Sequence, residues 1–168
     1  AIQCSAITGF VGAPTHFVKI VTQYKDVLPF VSSLRFVMSS GDHLPVDIIK
    51  KMQHIFEGVD IYVAYGLTEL GGRFCMLQPE MVESKAGSVG IPLPSLSYTI
   101  VDDLKNPVRQ GEVGEVVVKG KCIMDEYYND REKTELSMSK YGFHTKDYGY
   151  QDKEDFLFLL GRKDEVFK

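Results

Sequence analysis

Residues 1 to about 93 alternate two kinds of apolar pattern. Short continuous runs predict strands: "AITGF", which stops at Gly12-Ala13-Pro14, then "RFVMSS" and "DIYVAY". Between them, apolar residues recur at helical spacing. "THFVKIVTQY" carries Phe17, Val18 and Val21 on one side, with Thr15 as the expected N-cap. Ile48, Ile49, Met52, Ile55 and Phe56 recur at spacings of three and four and mark a buried helix face. Pro45 suits the first turn of that helix, and Gly58 suits its C-terminal cap.

A strand, a helix and a strand joined by short connections form a βαβ unit, so the two strands run parallel. In open parallel sheets ligands bind beyond the carboxyl ends of the strands, where loops and helix N-termini present free backbone N–H groups. Two loops rich in glycine and polar residues fall at those ends: Ser39-Ser40-Gly41-Asp42 and Tyr65 to Gly72. From about residue 94 the texture becomes all-β. "LSYTIVD", "GEVVVKG" and "FLFLLG" predict strands between turn-rich segments, and "NDREKTELSM" predicts a short polar helix or turn. The fold class expected is α/β, a parallel βαβ layer followed by a small antiparallel β subdomain.

Composition narrows the partners. The 168 residues are 44% hydrophobic and 25% charged, enough for a real core in one domain or two small ones. A net charge of -4, with no block of Lys or Arg, argues against a nucleic-acid partner. No apolar run approaches the roughly 18 residues of a membrane span, and no signal peptide is visible, so a cytoplasmic location is expected. Cys4, Cys75 and Cys122 show no spacing that points to zinc and are read as reduced thiols. The chain opens without Met and closes on "GRKDEVFK" in mid-phrase, so it reads as a piece of a longer protein.

The stretch that asks for chemistry is "YGLTE", residues 65–69. An aromatic face can stack on a planar base, and a glycine permits close backbone approach. A hydroxyl can donate to a phosphate oxygen, and a carboxylate can hold a Mg²⁺ that bridges phosphates. Together these describe a nucleotide phosphate site built without a Walker-type loop. The plainer alternative is a strand end capped by Thr68, with Glu69 in solvent. Other residues carry alternatives too. Asp147 can be a turn residue before Tyr148-Gly149, and Arg162 a surface charge at a strand end. His16 and His144 read as structural or exposed, and Met38, Met52 and Met76 as core or cleft fillers.

"YGLTE" resembles the signature of the adenylate-forming superfamily, which includes acyl-CoA synthetases, luciferases and the adenylation domains of peptide synthetases. Further phrases are similar to that family's motifs, in its order: "SSGDHLP", "GSVGIPLP", "GEVGEVVVKG", "YYNDREKT" and "HTKDYGYQDKEDFLFLLGRKDEVFK". The resemblance implies roles position by position. Tyr65 would stack on adenine, with Ser40, Gly41 and Asp42 as the opposite wall and Gly66 beside them. Thr68 would bind the α-phosphate and Glu69 the Mg²⁺. Asp147 would accept hydrogen bonds from both ribose hydroxyls, and Arg162 would reach the ribose or phosphate. Asp164 would be the hinge of a C-terminal domain and Lys168 a lysine used in one of two conformations. Gly12, Gly71 and Gly72 would lie at the acid pocket. The chain departs from the family pattern at Lys146, where the family has glycine, at Glu126, and at Glu154-Asp155, where the family has Asp-Gly.

The resemblance implies a fragment of the large N-terminal domain of an ATP-dependent acid ligase. Residues 1–93 would be the adenine- and acid-binding part, 94–161 the small β subdomain, and 162–168 the hinge segment. The parent reaction would turn a carboxylic acid and Mg·ATP into an acyl-adenylate, then pass the acyl group to a thiol, coenzyme A. The alternatives are an amino-acid adenylation domain that loads a carrier-protein thiol, and a non-catalytic nucleotide-binding module. The phosphate loop upstream and the catalytic lysine of the C-terminal domain would belong to other parts of the same protein, and the isolated fragment would be inactive.

Overall fold

Why the chain folds into the sheet that it does follows from where its apolar faces can meet. The computed structural model of the protein describes residues 6–23 and 33–163. Strand β1 (Gly9–Gly12) leads into helix α1 (Pro14–Gln23), β2 (Phe36–Ser40) into α2 (Val46–Ile55), and β3 (Asp60–Tyr65) follows. The three strands are parallel neighbours, as the βαβ pattern predicts, with Val11 opposite Met38 and Ser39 opposite Val63. Phe17 and Val21 of α1 pack with Ile48, Ile49 and Met52 of α2 against Val37, Ile61 and Val63 of the sheet.

Helix α1 begins two residues earlier than an N-cap at Thr15 would set it. Pro14, not Thr15, opens it, because the fixed φ of proline suits a first turn. The ring of His16 takes the capping role, its Nδ1 accepting the Ala13 N–H at 3.0 Å. Pro45 is the N-cap of α2, and Gly58 takes a left-handed φ of 74° just beyond that helix.

After β3 the direction changes. β4 (Cys75–Leu77) and β5 (Ser88–Pro92), two short strands that the pattern did not predict, run antiparallel and carry the sheet onward. The remaining elements are β6 (Leu96–Val101), β7 (Gly114–Gly120), α3 (Arg131–Ser137), β8 (Met138–Ser139), β9 (Gly142–Gln151) and β10 (Leu157–Arg162). Among the described residues, ten strands form one sheet in the order β1-β2-β3-β4-β5-β10-β9-β7-β6, with β8 paired to β9. A second core lies under this half: Phe74, Val116, Val118, Phe143 and Leu157 are buried together. The ring of Phe74 meets Tyr65 and Tyr98 edge-on, each at 5.9 Å between centroids. No helix among the described residues is long and apolar enough to cross a membrane.

β9 holds the main departure from the sequence reading. Asp147 lies within this ten-residue strand and not in a turn. Across from β7 the register jumps: Glu115 pairs with Tyr148 but Val117 with His144, so β9 bulges outward between them. Lys146 sits in the bulge with φ 62°, a left-handed conformation in which a Cβ is strained. Asp155 also takes a left-handed φ, 67°, where the family has glycine, but aspartate tolerates it better. Glu126 is not among the residues of positive φ, so that departure carries no backbone strain.

Replacing Lys146 by glycine should therefore raise stability. The relief of left-handed strain is about 1–2 kcal/mol, less what glycine gains in unfolded-state freedom, for a net of about 1 kcal/mol. A rise of a few degrees in the thermal midpoint of Lys146→Gly is the expected reading. A fall would show that contacts of the lysine side chain outweigh the strain.

Candidate active site

The site is built where strands end. The register that sets Gly12 opposite Ser39, and Ser40 opposite Ala64, brings the carboxyl ends of β1, β2 and β3 side by side. Ser40-Gly41-Asp42 thus lies next to the strand that Tyr65 closes. Gly41 has φ 102°, and Asp42 Oδ1 accepts the His43 N–H at 2.7 Å. Both loops that the βαβ reading placed at one end of the sheet are there.

Beyond Tyr65 the chain doubles back. The Leu67 carbonyl accepts the N–H groups of Leu70 and Gly72, and the Tyr65 carbonyl accepts that of Phe74 at 2.7 Å. The reversal needs Gly66, because a Cβ there would stand 2.3 Å from the Gly72 carbonyl oxygen. The close approach that this glycine permits is to the chain's own backbone. Gly71 and Gly72 complete the turn with left-handed φ values. The fold-back presents Thr68 to solvent and leaves Glu69 half-buried on a 3₁₀ turn, Thr68–Leu70.

Asp147 reaches the same place from the other half of the sheet. It is 6% exposed. Its Oδ2 accepts the Tyr65 hydroxyl, and its Oδ1 accepts Nη1 of Arg162 at 3.2 Å. The same Nη1 donates to the Thr145 carbonyl, and the Thr145 hydroxyl accepts the Asp147 N–H at 3.0 Å. Burial pushes the Asp147 carboxyl up from its ordinary range, and Tyr65 and Arg162 pull it back only in part. The Tyr65 phenol is pushed up as well, by burial first and then by the neighbouring carboxylate.

Two residues that the sequence reading did not single out hold this arrangement. Glu115 is buried under the bulge, its Oε1 accepting the Lys146 N–H at 3.1 Å and its Oε2 lying 3.3 Å from His144 Nδ1. Tyr127 donates its hydroxyl to Glu69 Oε1 at 2.9 Å. The signal for both lay in phrases already noted, "GEVGEVVVKG" and "YYNDREKT", but nothing in the spacing tells which residue of a phrase will face the site. Asp164 and Lys168 lie outside the described residues. A cavity of about 260 Å³, lined by Lys133, Leu136, Ser137 and Lys146 among others, adjoins α3; no residue with an implied role lines it.

The sequence model of the AMP-binding enzyme family matches residues 1–128. The chain belongs to the AMP-binding enzyme family. Indoleacetate–CoA ligase of Aromatoleum aromaticum is 31% identical to this chain over 166 residues, which cover 99% of the chain and 32% of that enzyme. The O-succinylbenzoate coenzyme A synthetase of Bacillus subtilis, solved in complex with ATP and magnesium ion, superposes with a TM-score of 0.85 at 27% identity. That superposition covers 98% of this chain and 33% of the synthetase, so it includes the Asp147 and Arg162 region beyond the family match. The amide bond synthetase McbA of Marinactinospora thermotolerans superposes with a TM-score of 0.88 at 27% identity, over 96% of this chain and 33% of that one. The chain thus spans about a third of the length of these relatives.

The Tyr65–Asp147 bond makes a pH-dependent prediction. Because the folded Asp147 carboxyl is raised, its contribution favours folding most at low pH and declines as pH rises from the ordinary value of 3.8 through the folded value. Tyr65→Phe removes a donor to the ionised form and raises the folded value further. Its stability loss should therefore grow with pH across that window, reaching about 1.5–3 kcal/mol at neutral pH. Chemical denaturation at a series of pH values measures this, and a loss independent of pH would contradict it.

Proposed function

We propose that this chain supplies the nucleotide-binding part of an enzyme that activates a carboxylic acid with Mg·ATP and passes the acyl group to coenzyme A. One observation carries the reading: the Tyr65 hydroxyl donates to Asp147, so the first residue of "YGLTE" and the carboxylate implied to hold ribose meet at the strand ends. In this reading residues 1–93 supply the adenine and acid side, 94–161 the ribose side, and 162–168 the hinge.

The adenine lies on the ring of Tyr65, which is only partly buried and meets Phe74 at an interplanar angle of 73°. Ser40, Gly41 and Asp42 close the opposite side. A carboxylate has about four lone-pair sites, so Asp147 can receive ribose hydroxyls while Tyr65 and Arg162 keep it in place. Thr68, exposed at the tip of the fold-back, donates to the α-phosphate.

Glu69 fits a divalent cation. Its Oε1 is taken by Tyr127, and among the described residues no hydrogen bond engages Oε2. No cluster of three or more His, Cys, Asp or Glu that could hold a metal stands among the described residues. That suits Mg²⁺, which keeps several waters and is held by one or two carboxylates plus substrate phosphates. When bound it would neutralise phosphate charge as the acid's carboxylate oxygen attacks the α-phosphorus and pyrophosphate leaves. The protein's own part is to fix adenine, ribose and phosphate in line for that attack, which is positioning more than covalent chemistry. Coenzyme A as acceptor is supported by the CoA ligases among the relatives; McbA, an amide bond synthetase, has the same fold over this region.

The full-length protein should catalyse exchange of labelled pyrophosphate into ATP only when a suitable carboxylic acid is present, and Glu69→Gln should weaken it. Acyl-CoA released on adding coenzyme A distinguishes a CoA ligase from an enzyme that loads a carrier protein. Nucleotide binding with no exchange for any acid in a broad panel would overturn the ligase reading. For the same protein, 2′-deoxy-ATP should be about tenfold to a hundredfold poorer than ATP, the worth of a lost hydrogen bond to a charged group. Asp147→Asn should narrow that gap, and equal use of the two nucleotides by the unmutated enzyme would remove Asp147 from the ribose site.

A further inference from the structure

The segment between β7 and α3 grips the 3₁₀ turn at three successive points. Cys122 Sγ lies 3.3 Å from the Leu70 carbonyl, the Met124 N–H donates to the Glu69 carbonyl at 2.9 Å, and the Tyr127 hydroxyl donates to Glu69 Oε1 at 2.9 Å. The first two contacts fix backbone. The third fixes the carboxylate itself.

Tyr127 is in turn held from behind. Its N–H donates to the Thr134 hydroxyl at 2.9 Å, its carbonyl accepts the Asp130 N–H, and Lys133 Nζ sits 3.8 Å from its ring centroid. Thr134 and Lys133 belong to α3, whose N-cap is Asp130. A free glutamate side chain turns about three bonds, and one fixed oxygen leaves the other facing a narrow range of directions. From this geometry we infer that Tyr127 is the positioning residue for the Mg²⁺ ligand of this enzyme: it occupies one oxygen of Glu69 and aims the other at the metal of Mg·ATP. The inference rests on the nucleotide reading above. Outer partners of this kind typically set metal affinity by about 10- to 100-fold. α3, to which no nucleotide contact is assigned, thereby acts on the metal through one phenol.

The test is calorimetric binding of ATP to the full-length protein, once with excess Mg²⁺ and once with EDTA. Mg²⁺ should tighten ATP binding to the unmutated protein. Tyr127→Phe should reduce that tightening by about tenfold and leave binding in EDTA unchanged. Glu69→Gln should reduce it at least as much, and the double variant should be no worse than Glu69→Gln alone, since the phenol then has no carboxylate to aim. Should Tyr127→Phe fail to fold, Thr134→Val loosens the backbone of Tyr127 while keeping the phenol, and a smaller loss of the Mg²⁺ effect is expected. Equal losses with Mg²⁺ and EDTA, a Mg²⁺ effect untouched by these variants, or additive effects of the two single substitutions would each overturn the role of Tyr127 while nucleotide binding stands. No ATP binding by the unmutated protein in either condition would overturn the nucleotide reading and this inference with it.

Discussion

Asp147 is a carboxylate taken almost wholly out of water, and such a group must either meet donors or give up its charge. The donors come from two places far apart in sequence, Tyr65 at the end of β3 and Arg162 at the end of β10. One acceptor thus ties a strand of the parallel layer to the antiparallel half. Removing either donor strands a buried acceptor, and that costs more than the bond alone is worth. The halves are therefore not two sheets that happen to abut.

Much of the surrounding structure can be understood as support for that carboxylate. Phe74, fully buried, packs edge-on with the Tyr65 ring and also with that of Tyr98. The bulge at Lys146 turns β9 so that Asp147 faces the strand ends, and Glu115 holds the bulge by accepting a backbone N–H that the ladder leaves free. The strain at Lys146 and the burial of Glu115 beside His144 are local costs. They sit one residue from the site, where natural folds commonly tolerate such costs.

The helices and the parallel strands were legible because each buries one continuous apolar face: Ile48, Ile49 and Met52 announce α2 without ambiguity. β9 was not legible as a strand, because beside Phe143 most of its buried side chains carry polar groups satisfied by partners that only the fold supplies. Thr145 donates to the Val116 carbonyl, Tyr148 to Asp103, and His144 lies against Glu115. β4 was too short to show a period, and β5 was broken by Gly90 and Pro92. Around the strand ends, the order of phrases pointed to two loops and to Asp147, which the fold brings together, but Thr15 lost the helix start to Pro14, and Gly66 is required by the close approach of Gly72. Tyr127 stayed hidden because a tyrosine beside another tyrosine looks the same whether it faces Glu69 or solvent.

The position of β10 has a consequence for how the protein comes into being. It is the last described strand in the chain, yet it lies inside the sheet, with β5 on one side and β9 on the other. As the polypeptide leaves the ribosome, every other strand among the described residues can be in place while the edges of β5 and β9 still show unpaired N–H and C=O groups to the cell. Open edges of that kind invite pairing with another chain. This sheet thus stays open to wrong pairing until residues 157–162 emerge, and the strand that delivers Arg162 to Asp147 is also the one that closes the seam.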